Sequence, residues 1–304
     1  MVSQSAVNDG VALALGWLLR ITPDMPPRVA AGIAYKLFNT PIGARTERLK
    51  HQQLRESRAV LARAEALDLS LKKSIVRIYH WKGAVPEPDR VRPPRRLVLL
   101  THGWTMGARY MTAFVDPLLA AGFDVAALDF PGHGASTDTK SAAPDAVRSI
   151  RLAEEALGGF YAIVGHSFGG SMMTIAAEGA PPMPGEMEVD RLVFLASADR
   201  LADILGRFAD ELKLGDATRD RVVRLIEKAS GRTVASVSNS AILRDLGIPS
   251  LVVHDPADRV VPFADAERIA AQPRVELYRA DGLGHFRILG SKKVIDRVVA
   301  FLKA

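Results

Sequence analysis

From Leu97 onward the chain alternates short, strongly apolar runs with longer stretches of helical periodicity. The runs are Leu97–Leu100, Asp124–Leu128, Ala162–Val164, Arg191–Leu195, Ser250–Val253 and Val275–Tyr278. Strands without a polar face are buried on both sides, and their alternation with helices predicts a mostly parallel sheet held between two helical layers. Ahead of them the period changes to two at Leu69, Leu71 and Ile75–Tyr79, which adds an antiparallel pair and brings the sheet to roughly eight strands. Each of the runs opens into a loop rich in Gly, His, Asp or Ser. In such sheets ligands bind outside the carboxyl ends of the strands, so the chemistry is expected in those loops.

The first 68 residues read differently. Segments 11–20, 28–38 and 46–67 have apolar spacing near the helical period, and Pro23, Pro26, Pro27 and Pro41 separate them. The expected organisation is a helical N-terminal extension, residues 1–68, packed on an α/β domain at 69–304. Gly83–Arg96 contains four prolines and four arginines and reads as an exposed connection. Between Ser197 and Gly247 no strand pattern occurs, while helical periodicity runs through Leu201–Leu214 and Thr218–Ala229. A small helical cap inserted at about 198–246, after the sixth strand, accounts for this interval; a lengthened packing helix is the alternative.

Charge refines the picture of the extension. The net charge of +6 is concentrated in residues 1–96, which carry 17 Lys and Arg against 8 Asp and Glu. A solvated helical face accounts for this most simply; weak contact with an anionic membrane surface, or with an acidic partner, is the other reading. Nucleic-acid binding is not expected, because the basic residues do not alternate with aromatics. The run Val11–Leu19 is apolar but far short of the roughly twenty residues a spanning helix needs. No Lys or Arg precedes it, so the charged start of a secretory signal is missing. There is no cysteine, which excludes disulfides, thiolate metal sites and cysteine nucleophiles and makes the cytoplasm the expected compartment. The apolar face of residues 11–38 serves either intramolecular packing or a dimer contact.

Gly165-His166-Ser167-Phe168-Gly169 fits the G-x-S-x-G pattern. It directly follows the apolar run ending at Val164 and opens the helical stretch Gly170–Ala177, the strand–turn–helix setting that exposes a serine hydroxyl. Gly165 and Gly169 are needed where a side chain would collide with neighbouring backbone. A serine needs a base. The best-placed histidine is His285, in Gly282-Leu283-Gly284-His285-Phe286 after the last strand; His102, His133, His166 and His254 read as packing or turn residues. The acid is expected at Asp258, in the loop His254–Pro262, with Asp255 and Asp199 as competitors. The order Ser167, Asp258, His285 is that of an α/β-hydrolase triad. Two backbone N–H groups are candidates for holding an oxyanion: that of Phe168, at the helix start, and that of Trp104, in His102-Gly103-Trp104, where Gly103 permits close approach. No histidine pair has metal-ligand spacing with a carboxylate partner, so no metal site is expected.

Together His102-Gly103-Trp104, Asp129…Gly132-His133-Gly134-x-Ser136, Gly165–Gly170, Asp258-Arg259-Val260-Val261-Pro262 and Gly284-His285-Phe286 resemble the α/β-hydrolase superfamily, closest to its bacterial esterase-like members. The resemblance covers about residues 70–304. It implies a three-layer α/β-hydrolase fold, a Ser-His-Asp triad at Ser167, His285 and Asp258, and no cofactor. With serine at the nucleophile position it implies acyl transfer from a small-molecule ester or thioester rather than dehalogenase or epoxide-hydrolase chemistry. A pocket bordered by Trp104 and Phe168 suggests an apolar acyl group. An acyltransferase or perhydrolase using the same acyl-enzyme, and a non-hydrolytic ligand-binding receptor, are the competing expectations.

Overall fold

Eight strands form a single sheet in the computed structural model, which describes residues 13–20, 25–44, 49–83, 96–180 and 185–304. They are β1 (Glu65–Leu71), β2 (Ser74–Trp81), β3 (Leu97–Thr101), β4 (Asp124–Leu128), β5 (Ala162–His166), β6 (Arg191–Leu195), β7 (Ser250–His254) and β8 (Val275–Arg279). Their order across the sheet is β1-β2-β4-β3-β5-β6-β7-β8. The β1–β2 and β2–β4 pairs are antiparallel and every other pair is parallel.

The apolar runs behave as burial on both faces demands. All five residues of β3, β4, β5 and β7 are buried. Because successive side chains point to opposite faces, Leu97 and Leu99 join one core cluster while Val98 and Leu100 join the other. The first cluster is closed by α5 (Ala143–Leu157), α6 (Phe168–Glu178), α9 (Asn239–Leu246) and α10 (Phe263–Ala270). The second is closed by α4 (Val115–Ala120) and α12 (Lys292–Lys303). These are the three layers. β8 departs from the expectation of full burial: as the edge strand it leaves Glu276 and Leu277 exposed, and Glu276 pairs with Arg297 of α12.

The helix expected over 46–67 is shorter. It runs from His51 to Leu61 (α3), and β1 begins at Glu65; residues 45–48 lie outside the described residues. Seven register pairs join β1 to β2, and Asp68 meets Arg77 across them at 2.5 Å, so strand pairing overrides a locally helical pattern. Of the expected connection Gly83–Arg96, residues 84–95 also lie outside the described residues.

Three helices separate β6 from β7: α7 (Leu201–Glu211), α8 (Asp216–Ser230) and α9. Only the first two stand away from the sheet. They pack with α2 (Pro27–Phe38) and with the helical residues 13–20 (α1) into a third hydrophobic cluster. Ala30, Ala31 and Ala34 of α2 are buried there, and such small residues let the helix backbone lie close to α8. Arg20 ties α1 to Glu211 of α7 at 3.1 Å. Among the described residues no helix is long and apolar enough to cross a membrane.

Phe194, in the middle of β6, is fully buried among the sheet and the helices of the first cluster. Phe194→Ala is expected to lower the free energy of unfolding in urea by about 3–5 kcal/mol, from lost transfer energy and the cavity left behind.

Candidate active site

The chain reverses from β5 into α6 at Ser167, whose backbone has φ 49° and ψ −114°. This is a left-handed conformation that L-residues avoid, and it costs of the order of 1–3 kcal/mol. The surroundings leave no room for side chains at the flanking glycines. A Cβ on Gly165 would lie 2.7 Å from the Gly170 Cα, and one on Gly169 would lie 2.6 Å from the Thr101 carbonyl oxygen. One on Gly103 would lie 2.5 Å from the His166 ring. The close approach expected at Gly103, Gly165 and Gly169 is therefore a property of the fold.

His285 opens α11 (Gly284–Arg287) and is buried. Its Nδ1 is 2.8 Å from Asp258 Oδ2, and the Asp258 side chain has no solvent exposure. A carboxylate only accepts, so Nδ1 is the donor of this pair. Asp258 Oδ1 accepts the N–H groups of Val260 and Val261 at 2.7 and 3.1 Å. Burial pushes its carboxyl up, but the His285 hydrogen bond and these N–H groups outweigh burial and hold it below the usual range. His166 Nε2 donates to the backbone oxygen of His285 at 2.9 Å, and the two rings lie 4.9 Å apart. The residue beside Ser167 thus anchors the His285 loop. In this structure His285 is hydrogen-bonded to Asp258 rather than to Ser167.

The two competing carboxylates have other partners. Asp255 accepts the Ala257 N–H at 2.8 Å and the Gly284 N–H, so it holds the two site loops together. Asp199 accepts from Ser240 N at 2.8 Å and from Arg268 Nε at 3.0 Å. His254 Nε2 donates to the Val261 oxygen at 3.0 Å and stands 3.5 Å from Asp258. That proximity was not legible in the sequence, nor was the part played by Asp129, buried at the end of β4. Its two carboxylate oxygens accept the N–H groups of Ala108 and Ala135 at 2.7 and 2.8 Å and clamp the loops after β3 and β4. Burial raises its pKa above the ordinary carboxylate value despite those donors.

The backbone N–H groups of Trp104 and Phe168 are committed to no backbone hydrogen bond among the described residues. Their rings meet edge to face at 5.1 Å. The ring contacts continue from Trp104 to His133 and from Phe168 to Phe130. His102 is buried, donates from Nδ1 to the Gly103 oxygen at 2.8 Å and accepts the Phe130 N–H at 3.0 Å. Ser167, Trp104 and Phe168 line a cavity of about 380 Å³ whose other walls come from α2, α5, α6, α7 and α8. The contribution of α2 was not anticipated. Among the described residues no three His, Asp or Glu side chains gather to hold a metal ion.

Known proteins resemble this chain in sequence and in fold. The sequence model of the alpha/beta hydrolase family matches residues 97–297. The AB hydrolase superfamily protein YisY of Bacillus subtilis is 24% identical over 251 residues, covering 67% of this chain and 90% of that protein. The solved carboxylesterase CesB of Bacillus subtilis superposes with a TM-score of 0.55 at 20% identity, covering 83% of this chain and 96% of that one. A putative lipase of Acinetobacter baumannii gives 0.59 at 16% identity, covering 85% and 98%. At these identities the two solved structures speak for the fold alone.

Burial lowers the pKa of His102 to about 4 and of His166 to about 3, against an ordinary value of 6.5. Both rings are neutral in the folded protein, and the unfolded chain takes up the protons first. The stability contributed by keeping them neutral is complete above about pH 6.5 and is lost as the pH falls toward about 4 and about 3, at up to about 1.4 kcal/mol per pH unit for each histidine. Asp129, with its raised pKa, acts in the opposite sense above pH 3.8. Urea midpoints measured from pH 7 to pH 4.5 should therefore fall, and His102→Asn, which keeps a donor and an acceptor but cannot titrate there, should fall less steeply. An unchanged slope in that variant would refute this origin of the acid sensitivity.

Proposed function

Since the chain belongs to the alpha/beta hydrolase family, we propose that it is a serine hydrolase cleaving a carboxylic ester or thioester, with an apolar acyl group, through an acyl-enzyme on Ser167. The observation that carries this reading is the combination at one strand end. Ser167 is held in a left-handed turn in the wall of a mostly apolar cavity, and the adjacent His166 anchors the loop of a histidine already bonded to a buried carboxylate.

In the proposed reaction Ser167 Oγ attacks the carbonyl carbon while His285 Nε2 takes its proton. Asp258 stabilises the imidazolium and keeps the proton on Nδ1, the arrangement its 2.8 Å hydrogen bond already favours. Negative charge develops on the carbonyl oxygen, and the uncommitted N–H groups of Trp104 and Phe168 are suited to receive it; such donors are each worth about 3–4 kcal/mol in a water-excluded site. The tetrahedral adduct collapses, the C–O or C–S bond breaks, and the leaving oxygen or sulfur takes the proton from His285. Water, deprotonated by the same nitrogen, then attacks the acyl-enzyme, releasing the acid and restoring the Ser167 hydroxyl. His254 and Asp255 have no part in these transfers and act on the position of Asp258 and of the His285 loop.

A fluorophosphonate probe should label the wild-type chain at Ser167 and leave Ser167→Ala unlabelled. Hydrolysis of p-nitrophenyl esters should fall by several orders of magnitude in Ser167→Ala and His285→Ala, and kcat by about 10⁴ in Asp258→Asn, where the wrong tautomer of the imidazole is favoured. Full activity in Ser167→Ala would sink the reading. Faster release of the acyl group to added alcohol than to water would redirect it toward acyl transfer.

A further inference from the structure

The cavity at Ser167 has an unusual position in the packing. Its walls are drawn from two separate hydrophobic clusters: Val147, Met172 and Val237 belong to the core under the sheet, and Leu37, Ile226 and Val234 to the cluster of α2, α7 and α8. It is the seam between them. A packing fault in a core is small and tends to collapse, whereas about 380 Å³ of mostly apolar space reaching the half-buried Ser167 is the size and character of a small-molecule site.

Helix α2 is fixed to this seam at both levels. Its Ala30, Ala31 and Ala34 face is buried in the cluster with α7 and α8. At its C-terminal end the Asn39 oxygen accepts the Ser141 N–H at 2.8 Å, joining it to the loop that leads into α5, and Ser141 and Asn39 both line the cavity. Next to this tie, Phe38 packs edge to face on Phe208 of α7 at 5.2 Å between ring centres. Both rings are only partly buried, and both line the cavity.

We propose that the C-terminal turn of α2 completes a binding site for a medium-chain fatty acyl group, with the Phe38–Phe208 pair as the wall that limits chain length. This rests on the reading of Ser167 as nucleophile, but the site for the chain is a separate matter and is tested separately. The chemistry of the walls selects the class. Along the wall made by Phe38, Phe208, Ile204 and Met172 a charged or sugar-like acyl group would set polar groups against apolar side chains without partners, which is costly. An alkyl chain gains at each methylene accommodated, and a single methylene is worth about tenfold or more in discrimination. The N-terminal helices then belong to the substrate site as much as to the packing of the fold.

Two measurements test this on the full chain. The first is kcat/KM for p-nitrophenyl acetate, octanoate and palmitate, with the palmitate-to-octanoate ratio as readout. Phe38→Ala, which opens the wall, should raise that ratio at least about tenfold, and Phe208→Trp, which fills the seam, should lower the octanoate-to-acetate ratio by a similar factor. Val29→Ser, on the exposed face of α2, should leave both ratios as in the wild type. Wild-type ratios in both Phe38→Ala and Phe208→Trp, each folded by circular dichroism, would overturn the proposal. The second is calorimetric binding of free decanoate to Ser167→Ala, which needs no catalysis. Binding that Phe208→Trp weakens at least tenfold upholds the acyl site even if no ester is turned over, in which case the hydrolase reading alone fails. Absence of decanoate binding to Ser167→Ala together with wild-type ester ratios in the variants refutes the acyl site while leaving the hydrolase reading standing.

Discussion

At the end of β5 the backbone has to turn into α6 through one residue, Ser167, and it does so at φ 49°. Most of what surrounds the site follows from the space this turn demands. Gly165, Gly169 and Gly170 pack so closely against one another, the Thr101 backbone and Ser197 that a single methyl group at any of them would force a neighbour to move. The same turn leaves the Phe168 N–H free at a helix start, where the helix dipole favours negative charge. It also buries the His166 ring at the point from which it reaches the backbone of His285. The turn at Ser167 and the position of the His285 loop are therefore one constraint, and strain at Ser167 is offset by the packing that enforces it.

Four buried aspartates around the site have distinct surroundings, and their partners separate their roles. Asp258 is bonded to an imidazole. Asp199 faces the Arg268 guanidinium, so its charge is satisfied away from the histidine. Asp255 and Asp129 accept backbone N–H groups and join loops that are distant in sequence. Buried carboxylates are costly without such partners. That each oxygen of Asp129 carries a donor explains how a charged side chain can sit at the end of a fully buried strand, though burial still raises its pKa.

The parts of the fold that could be read from the sequence are those where burial leaves only one reading. β3 to β7 are enclosed on both faces and so appear as continuous apolar runs, and the glycines of the Ser167 turn stand where nothing else fits. Where one side of an element is wet the reading loosens. Charged positions on β1 such as Glu65 and Asp68 continued the appearance of the preceding helix, and only pairing with β2 revealed the strand. Asp258 and Asp255 occupy one short loop and are the same residue type; what separates them is which way the turn aims each carboxylate, information that spacing does not contain. The alanine and leucine pattern of α2 announced a buried face without naming its partner, so its place in the cavity wall stayed hidden.

The seam between the two clusters has a thermodynamic side as well. Apolar walls set apart by a cavity make fewer dispersion contacts with one another than the side chains of a continuous core. A guest that occupies the space restores them and makes one core of two. Its free energy of binding is then added to that of folding, in proportion to the logarithm of its concentration over its dissociation constant. The melting temperature of this chain would thus report which molecules fill the seam, whether or not any of them is turned over.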